Sequence, residues 1–229
     1  MQLIKEKFPI VGGLEDTVLG QLLDFPQQNN DEWVQILHNG VNHWLVAAKN
    51  KKKNHVDIYD SMGSPPNNHV LGCVSSLIRP SSNSFAFQLK SCQLQKNSSD
   101  CGIFAIAFAM TLACGESPSF SSYSPSQMRS HLVSCFKKKE IDPFPAATSD
   151  DRVVLCQGSP LKKVKVYCHC RRVDYNPTEI NGKVQSRLAG EKENPWDLIQ
   201  CAGCKEWFHR QCEIWPKKTW GVKWRCQNC

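Results

Sequence analysis

With 229 residues and 28 Lys and Arg against 21 Asp and Glu, the chain is long enough for one ordinary domain and one small one, and it carries a formal net charge of +7. No stretch approaches the roughly 18–20 apolar residues of a helical membrane span, and the opening Met1-Gln2-Leu3-Ile4-Lys5-Glu6 has charges where a signal peptide needs an apolar run. Thirteen cysteines without a secretory signal point to metal ligands and reduced thiols rather than disulfides, hence to a reducing intracellular compartment, with the nucleus as the expected location.

From the N-terminus, Leu14, Val18, Leu22 and Leu23 recur with a helical period that predicts a helix over 14–25, stopped before Pro26. Three β-rich runs follow: Trp33 to His38, His43 to Ala48 and His55 to Asp60. They are separated by Asn39-Gly40 and by a lysine and asparagine cluster, both suited to turns, which predicts an antiparallel sheet. Beyond Ser64-Pro65-Pro66 a helix is expected over Asn68 to Ile78, and Phe85 to Leu89 alternates like a strand. Cys101 to Cys114 is almost wholly apolar, rich in alanine and closed by Gly115, the pattern of a buried helix. A last helix starts at Pro125 behind Ser124 as N-cap and runs to about Lys138. The polar, proline-bearing stretch 146–166 reads as a linker.

The basic residues fall into short runs, Lys49 to Lys53, Lys137 to Lys139 and Lys162 to Lys165, with no aromatic side chains between them. Solvated loops or a helix end account for them, so no direct nucleic-acid site is evident. The run at Lys162 suits a weak nuclear-import or acidic-partner patch.

Cys168, Cys170, Cys201, Cys204, His209, Cys212, Cys226 and Cys229 form four close pairs, C-x-C, C-x2-C, H-x2-C and C-x2-C. Two closed tetrahedra of soft ligands are the expected arrangement, and neither leaves a position open for a catalytic water. Seven bound thiolates and two Zn²⁺ would bring the net charge to about +4. With histidine as fifth ligand, the Trp207-Phe208-His209 element and Trp224 two residues before Cys226, residues 167–229 resemble a PHD finger. The resemblance implies cross-bracing, with Cys168, Cys170, His209 and Cys212 on one zinc and the other four cysteines on the second.

Cys101 stands at the head of the buried helix, where backbone N–H groups and the helix dipole favour a thiolate. Antiparallel pairing of the second and third strands can bring His43 to Asp60, a base beside an orienting carboxylate. His43-Trp44, Asp60-Ser61 seventeen residues on from His43, and Gln95 six residues before Asp100-Cys101-Gly102 are similar to the pattern of the ubiquitin-like-protein-specific, C48-type cysteine proteases that include the SUMO proteases. That resemblance implies Cys101 as nucleophile, His43 as general base, Asp60 as the carboxylate fixing its tautomer, Gln95 as an oxyanion donor, and Trp44 shaping a channel for a Gly-Gly tail.

The fold class expected is therefore α+β: a papain-like, adenovirus-protease-like cysteine protease domain over 1–145, abbreviated at its N-terminus, a linker, and a cross-braced two-zinc finger over 167–229. Because only 42 residues precede His43, the segment forming the other channel wall is expected to be short or absent, as in a mobile-element-derived product or a fragment of a longer chain. The partner implied is a ubiquitin-like protein or its conjugate. Trp207 sits where the finger family places a methyl-lysine cage tryptophan, with Tyr175, Tyr167 or Trp196 as a second wall, which makes a histone tail a further expected partner. The competing expectation is a non-catalytic chromatin or protein-interaction module that keeps only the protease fold.

Overall fold

The structure is a computed structural model that describes residues 1–174, 179, 180, 183, 184, 197–215 and 223–229. Its first domain is built on a six-stranded sheet in sequential order: β1 (Gly12–Gly13), β2 (Trp33–His38), β3 (Trp44–Lys49), β4 (Val56–Tyr59), β5 (Ser84–Leu89) and β6 (Lys162–Lys165). β2, β3 and β4 form the expected antiparallel meander, while β1 joins β2 and β5 joins β4 in parallel. A parallel neighbour needs a crossover, and α2 (Asn68–Ile78) supplies it between β4 and β5. The helix begins where Asn67 accepts the Val70 N–H at 3.0 Å and ends at Arg79 in the left-handed region.

Successive side chains of a strand face opposite ways, so the meander feeds two cores. Val34, Ile36, Val46, Ala48 and Tyr59 pack against α3 (Cys101–Ala113) and α4 (Pro125–Lys138), with Phe104, Phe108, Met110 and Met128 fully buried there. Trp33, Leu37, Leu45, Ala47, Val56 and Ile58 face α2 with Val70, Val74 and Leu77. A short α1 (Gln2–Lys7), not foreseen from the sequence, adds Ile4 to the α3 side. Among the described residues no helix is long and apolar enough to cross a membrane.

Two expectations fail. The helix predicted over 14–25 is a single 3-10 stretch, Thr17–Leu22, flanked by Leu14 and Leu23 with left-handed backbone. Those two leucines are buried while Val18 and Leu22 are 61% and 66% exposed, so the helical period does not describe the buried face. Gly20 packs so closely on the Phe25 ring that a Cβ would lie 3.1 Å from it.

The stretch 146–166 is not a free linker. Cys156 N–H donates to the Cys92 carbonyl at 2.9 Å, Leu94 N–H to that of Val154 at 2.7 Å, and β6 then pairs antiparallel with β5 from Ser84↔Lys165 to Phe87↔Lys162. The outer edge of β5 needs backbone partners whatever their side chains, and lysines facing water serve well at such an edge. Immediately beyond β6, Val166 and then Val173 join the α2-side core, and Arg171 bonds to Asn83 at 2.8 Å. The finger is thus attached to the domain by packed residues. Its described backbone comprises the pairs β7 (Glu179–Ile180) with β8 (Lys183–Val184) and β9 (Leu198–Gln200) with β10 (Trp207–His209).

Candidate functional site

His43 ends the β2–β3 turn. The Asn39 side-chain oxygen accepts the N–H groups of Val41, Asn42 and His43 at 2.9, 3.0 and 3.0 Å, so one asparagine folds the turn around the histidine. Its ring Nε2 lies 2.8 Å from Asp60 Oδ1, with both residues buried. The same Asp60 oxygen accepts the Met62 N–H at 2.7 Å, and the Asp60 carbonyl takes the Cys92 thiol at 3.4 Å. A carboxylate oxygen already accepting one N–H accepts from the imidazole too, which puts the ring proton on Nε2 and leaves the lone pair on Nδ1.

Cys101 is the first residue of α3 and is 6% exposed. Asp100 occupies the N-cap position without capping through its side chain, which instead receives Asn97 Nδ2 at 2.6 Å and pairs with Arg129 of α4. The first amides of the helix therefore keep no side-chain acceptor, as an anion-stabilising helix head requires. Gly102 lies against β3: a Cβ there would stand 3.7 Å from Trp44 Cδ1. Trp44 in turn leans on His38, ring centres 4.7 Å apart. Burial, followed by the nearby His43, lowers the His38 pKa, and its Nδ1 accepts the Gly40 N–H at 3.2 Å.

Gln95 is strapped to the residue after Asp60. Its N–H donates to the Ser61 carbonyl at 2.8 Å and its side-chain oxygen accepts the Ser61 hydroxyl at 2.6 Å. One hydrogen of its amide nitrogen is directed to the Asn97 carbonyl. Sequence reasoning named His43, Trp44, Asp60, Gln95 and Cys101 but passed over Asn39, Asn97 and Arg129, which hold the loops that carry them. The Asn39-Gly40 pair had signalled only a turn.

In the finger, Cys168, Cys170, His209 and Cys212 gather in one group and Cys201, Cys204, Cys226 and Cys229 in another, ligand atoms of each within 4.8 Å of one another. This is the cross-braced grouping. His209 faces the thiols through Nδ1, 3.3 Å from Cys170 Sγ, and three sulfurs with one imidazole, or four sulfurs, form a donor set that suits Zn²⁺. Around them lies a very small core of Phe208 and Trp224, whose rings meet edge to face at 5.6 Å.

Of the expected cage residues, Trp207 is 38% exposed on β10, paired with Gln200 across the ladder. Tyr167 bridges Arg172 and carries Lys165 Nζ over its ring at 5.3 Å. Among the described residues neither ring has an aromatic partner. Tyr175 and Trp196 lie outside the described residues.

Residues 28–149 match the family model for the Ulp1 protease family, C-terminal catalytic domain, and residues 187–229 match that for the PHD-finger. Among solved structures the chain is similar to SUMO protease Ulp1 with its catalytic cysteine oxidised to a sulfonic acid: TM-score 0.48, 16% identity, covering 61% of this chain and 74% of that one. It is also similar to the C-terminal Ulp1 protease domain in complex with Smt3, the yeast orthologue of SUMO: TM-score 0.40, 17% identity, 52% and 64% covered. No curated protein matches.

Proposed function

Since the chain belongs to the Ulp1 protease family, with a PHD finger after its catalytic domain, we propose that it is a thiol peptidase or isopeptidase cleaving after the C-terminal Gly-Gly of a ubiquitin-like modifier. The observation carrying this reading is the buried 2.8 Å bond between His43 and Asp60, which leaves Nδ1 of the imidazole as the atom that would take a proton. In this mechanism His43 takes the Cys101 proton and the thiolate attacks the carbonyl carbon of the terminal glycine. The resulting oxyanion is met by the uncapped N–H groups at the head of α3 and by the Gln95 amide. His43 then gives the proton to the leaving amine, a thioester remains on Cys101, and a water deprotonated by His43 releases the modifier and restores the thiol. Asp60 holds the tautomer and stabilises the imidazolium. Trp44 beside Gly102 narrows the approach, which favours residues without side chains.

The finger residues would hold two Zn²⁺, which supply cross-links for a core too small to stand alone. The finger delivers the protease, in the nucleus, to a protein or histone tail, with Trp207 as one wall of a methyl-lysine cage. A single exposed cation–π contact contributes only about 0.5–1 kcal/mol, so the cage needs a second aromatic such as Tyr175.

The test is a panel of ubiquitin-like proteins bearing a C-terminal vinyl electrophile, incubated with the zinc-loaded full chain. One modifier should give a covalent adduct on Cys101, lost in Cys101→Ala. A folded chain that couples to none of them would overturn the enzymatic reading. Titrating histone-tail peptides against the same protein tests the cage: equal binding of methylated and unmethylated lysine, or binding unchanged in Trp207→Ala, excludes it.

A further inference from the structure

Two lysine runs more than a hundred residues apart in the chain meet at one end of the sheet. The register joins Lys49 of β3 through Val56 of β4 and Phe87 of β5 to Lys162 of β6. Three strand spacings of about 4.8 Å separate the two ends of that row, so the runs lie roughly 14 Å apart. This is the end away from the catalytic residues. β3 leaves Trp44 beside Gly102 and reaches Lys49 about 17 Å later, at about 3.3 Å per residue.

Between the runs lies a cleft of about 390 Å³, bounded by the β3–β4 turn and the α2–β5 loop and lined by Lys49, His55 and Lys163 together with Ser81, Ser82 and Ser84. No carboxylate lines it. Asp57, next in β4 to the cleft-lining Val56, is already engaged by Lys53 at 2.5 Å and His55 at 3.1 Å. Lys49, Lys51, Lys52, Lys162 and Lys163 have no ion-pair partner among the described residues. Asp31 and Glu32, just before β2, mark the far flank of the surface and pair with none of these lysines.

We propose that this end of the sheet binds duplex nucleic acid through its phosphate backbone, one phosphate entering the Lys49–Lys163 cleft while Lys51, Lys52 and Lys162 meet its neighbours. Ammonium groups and hydroxyls, with no carboxylate between them, are the chemistry that receives phosphate oxygens. Among the described residues lining the cleft the aromatic ones are His55, bonded to Asp57, and the buried Phe85, so an unpaired base finds little to stack on there. A duplex presents one charge for each ~1.7 Å of axis on a stiff scaffold, which matches lysines held across the width of four strands, on β3, the β3–β4 turn and β6, better than a flexible acidic peptide does. Neither run is a site by itself; the strand order assembles them.

The probe is a fluorescein-labelled DNA duplex of arbitrary sequence, about 20 base pairs long, titrated by anisotropy against the zinc-loaded full chain at salt from about 50 to 200 mM. Four to five phosphate contacts predict a slope of log K against log salt near −4, and a loss of about 10²-fold or more across that range. Combined Lys51→Glu, Lys52→Glu, Lys162→Glu and Lys163→Glu should lower affinity at least tenfold and flatten the slope, with thermal unfolding and zinc content unchanged because these side chains are exposed. Lys137→Glu with Lys139→Glu, on the third lysine run, should leave binding intact. No binding at the lowest salt, binding indifferent to salt, equal loss in both variants, or polyglutamate bound as tightly as the duplex would each overturn the assignment. All of these readouts are independent of proteolysis, so they stand or fall apart from the enzymatic reading.

Discussion

The two halves of the molecule keep their shape by opposite means. In the protease domain two continuous apolar layers cover both faces of the sheet, and large side chains such as Trp33, Phe104 and Phe108 are almost completely excluded from water. In the described part of the finger the only apolar cluster consists of Phe208, Trp224 and ligand cysteines, with Ile199 packed against them. A core that size cannot offset the entropy of ordering its chain, whereas metal binding can. The difference teaches that the halves answer to different variables, apolar area in one and ligand protonation and metal supply in the other. Val166 and Val173 blur the division, since they belong to the finger's side of the chain but lie in the domain's core.

Chelation makes the largest break in that contrast. Removing metal forfeits on the order of 10–16 kcal/mol of binding free energy for a structural zinc site, so circular dichroism and amide exchange should show the finger, residues 167–229, unfolded. The domain should remain folded with a slightly lower melting temperature, because the Val173 segment loosens with the finger. A domain that unfolds together with the finger at the same chelator concentration would show that the two are one cooperative unit. Phe104→Ala should do the reverse, destabilising the domain by about 3–5 kcal/mol in denaturant titrations while zinc stoichiometry stays the same. Val173→Ala should be felt by both halves at about 2 kcal/mol, lowering the domain's melting temperature and raising the finger's sensitivity to chelator. An effect confined to either half would separate them again.

Acid gives the smallest and most discriminating effect. His69 is buried on α2, and burial, then the neighbouring His38, lowers its pKa below the ordinary 6.5. The unfolded chain thus takes up a proton at that histidine more readily than the folded one does. Its contribution is complete above about pH 6.5 and declines as pH falls below it. His69→Gln should flatten the fall in domain stability as pH drops below about 6.5, without changing the pH at which the finger loses zinc. If the slope is unchanged, the acid sensitivity of the domain arises elsewhere.

Elements whose pattern reports their own burial were legible in the sequence. The helices over Asn68–Ile78 and Pro125–Lys138 and the three strands of the meander fall where periodicity and turn residues put them. The His43–Asp60 contact was legible as well, because antiparallel pairing joins the head of one strand to the tail of the next. Elements defined by a partner were not. Nothing in Lys-Lys-Val-Lys announces a strand; it becomes one because β5 offers an open edge. Leu14 to Phe25 has a helical period, yet Gly20 against Phe25 and the left-handed backbone at Leu23 decide otherwise. The supports of the site, Asn39, Asn97 and Arg129, are ordinary polar residues whose roles exist only once the loops are closed.

The strand at Lys162–Lys165 also decides what can be inherited separately. A recombination that broke the chain after residue 149, where the catalytic-domain match ends, would leave β5 with an open row of amides and carbonyls and uncover Phe85 and Phe87 beside the place of Val166. Such an edge pairs with the next copy of itself. The stretch that keeps this sheet covered therefore runs on to Val173, well past the end of the catalytic-domain match.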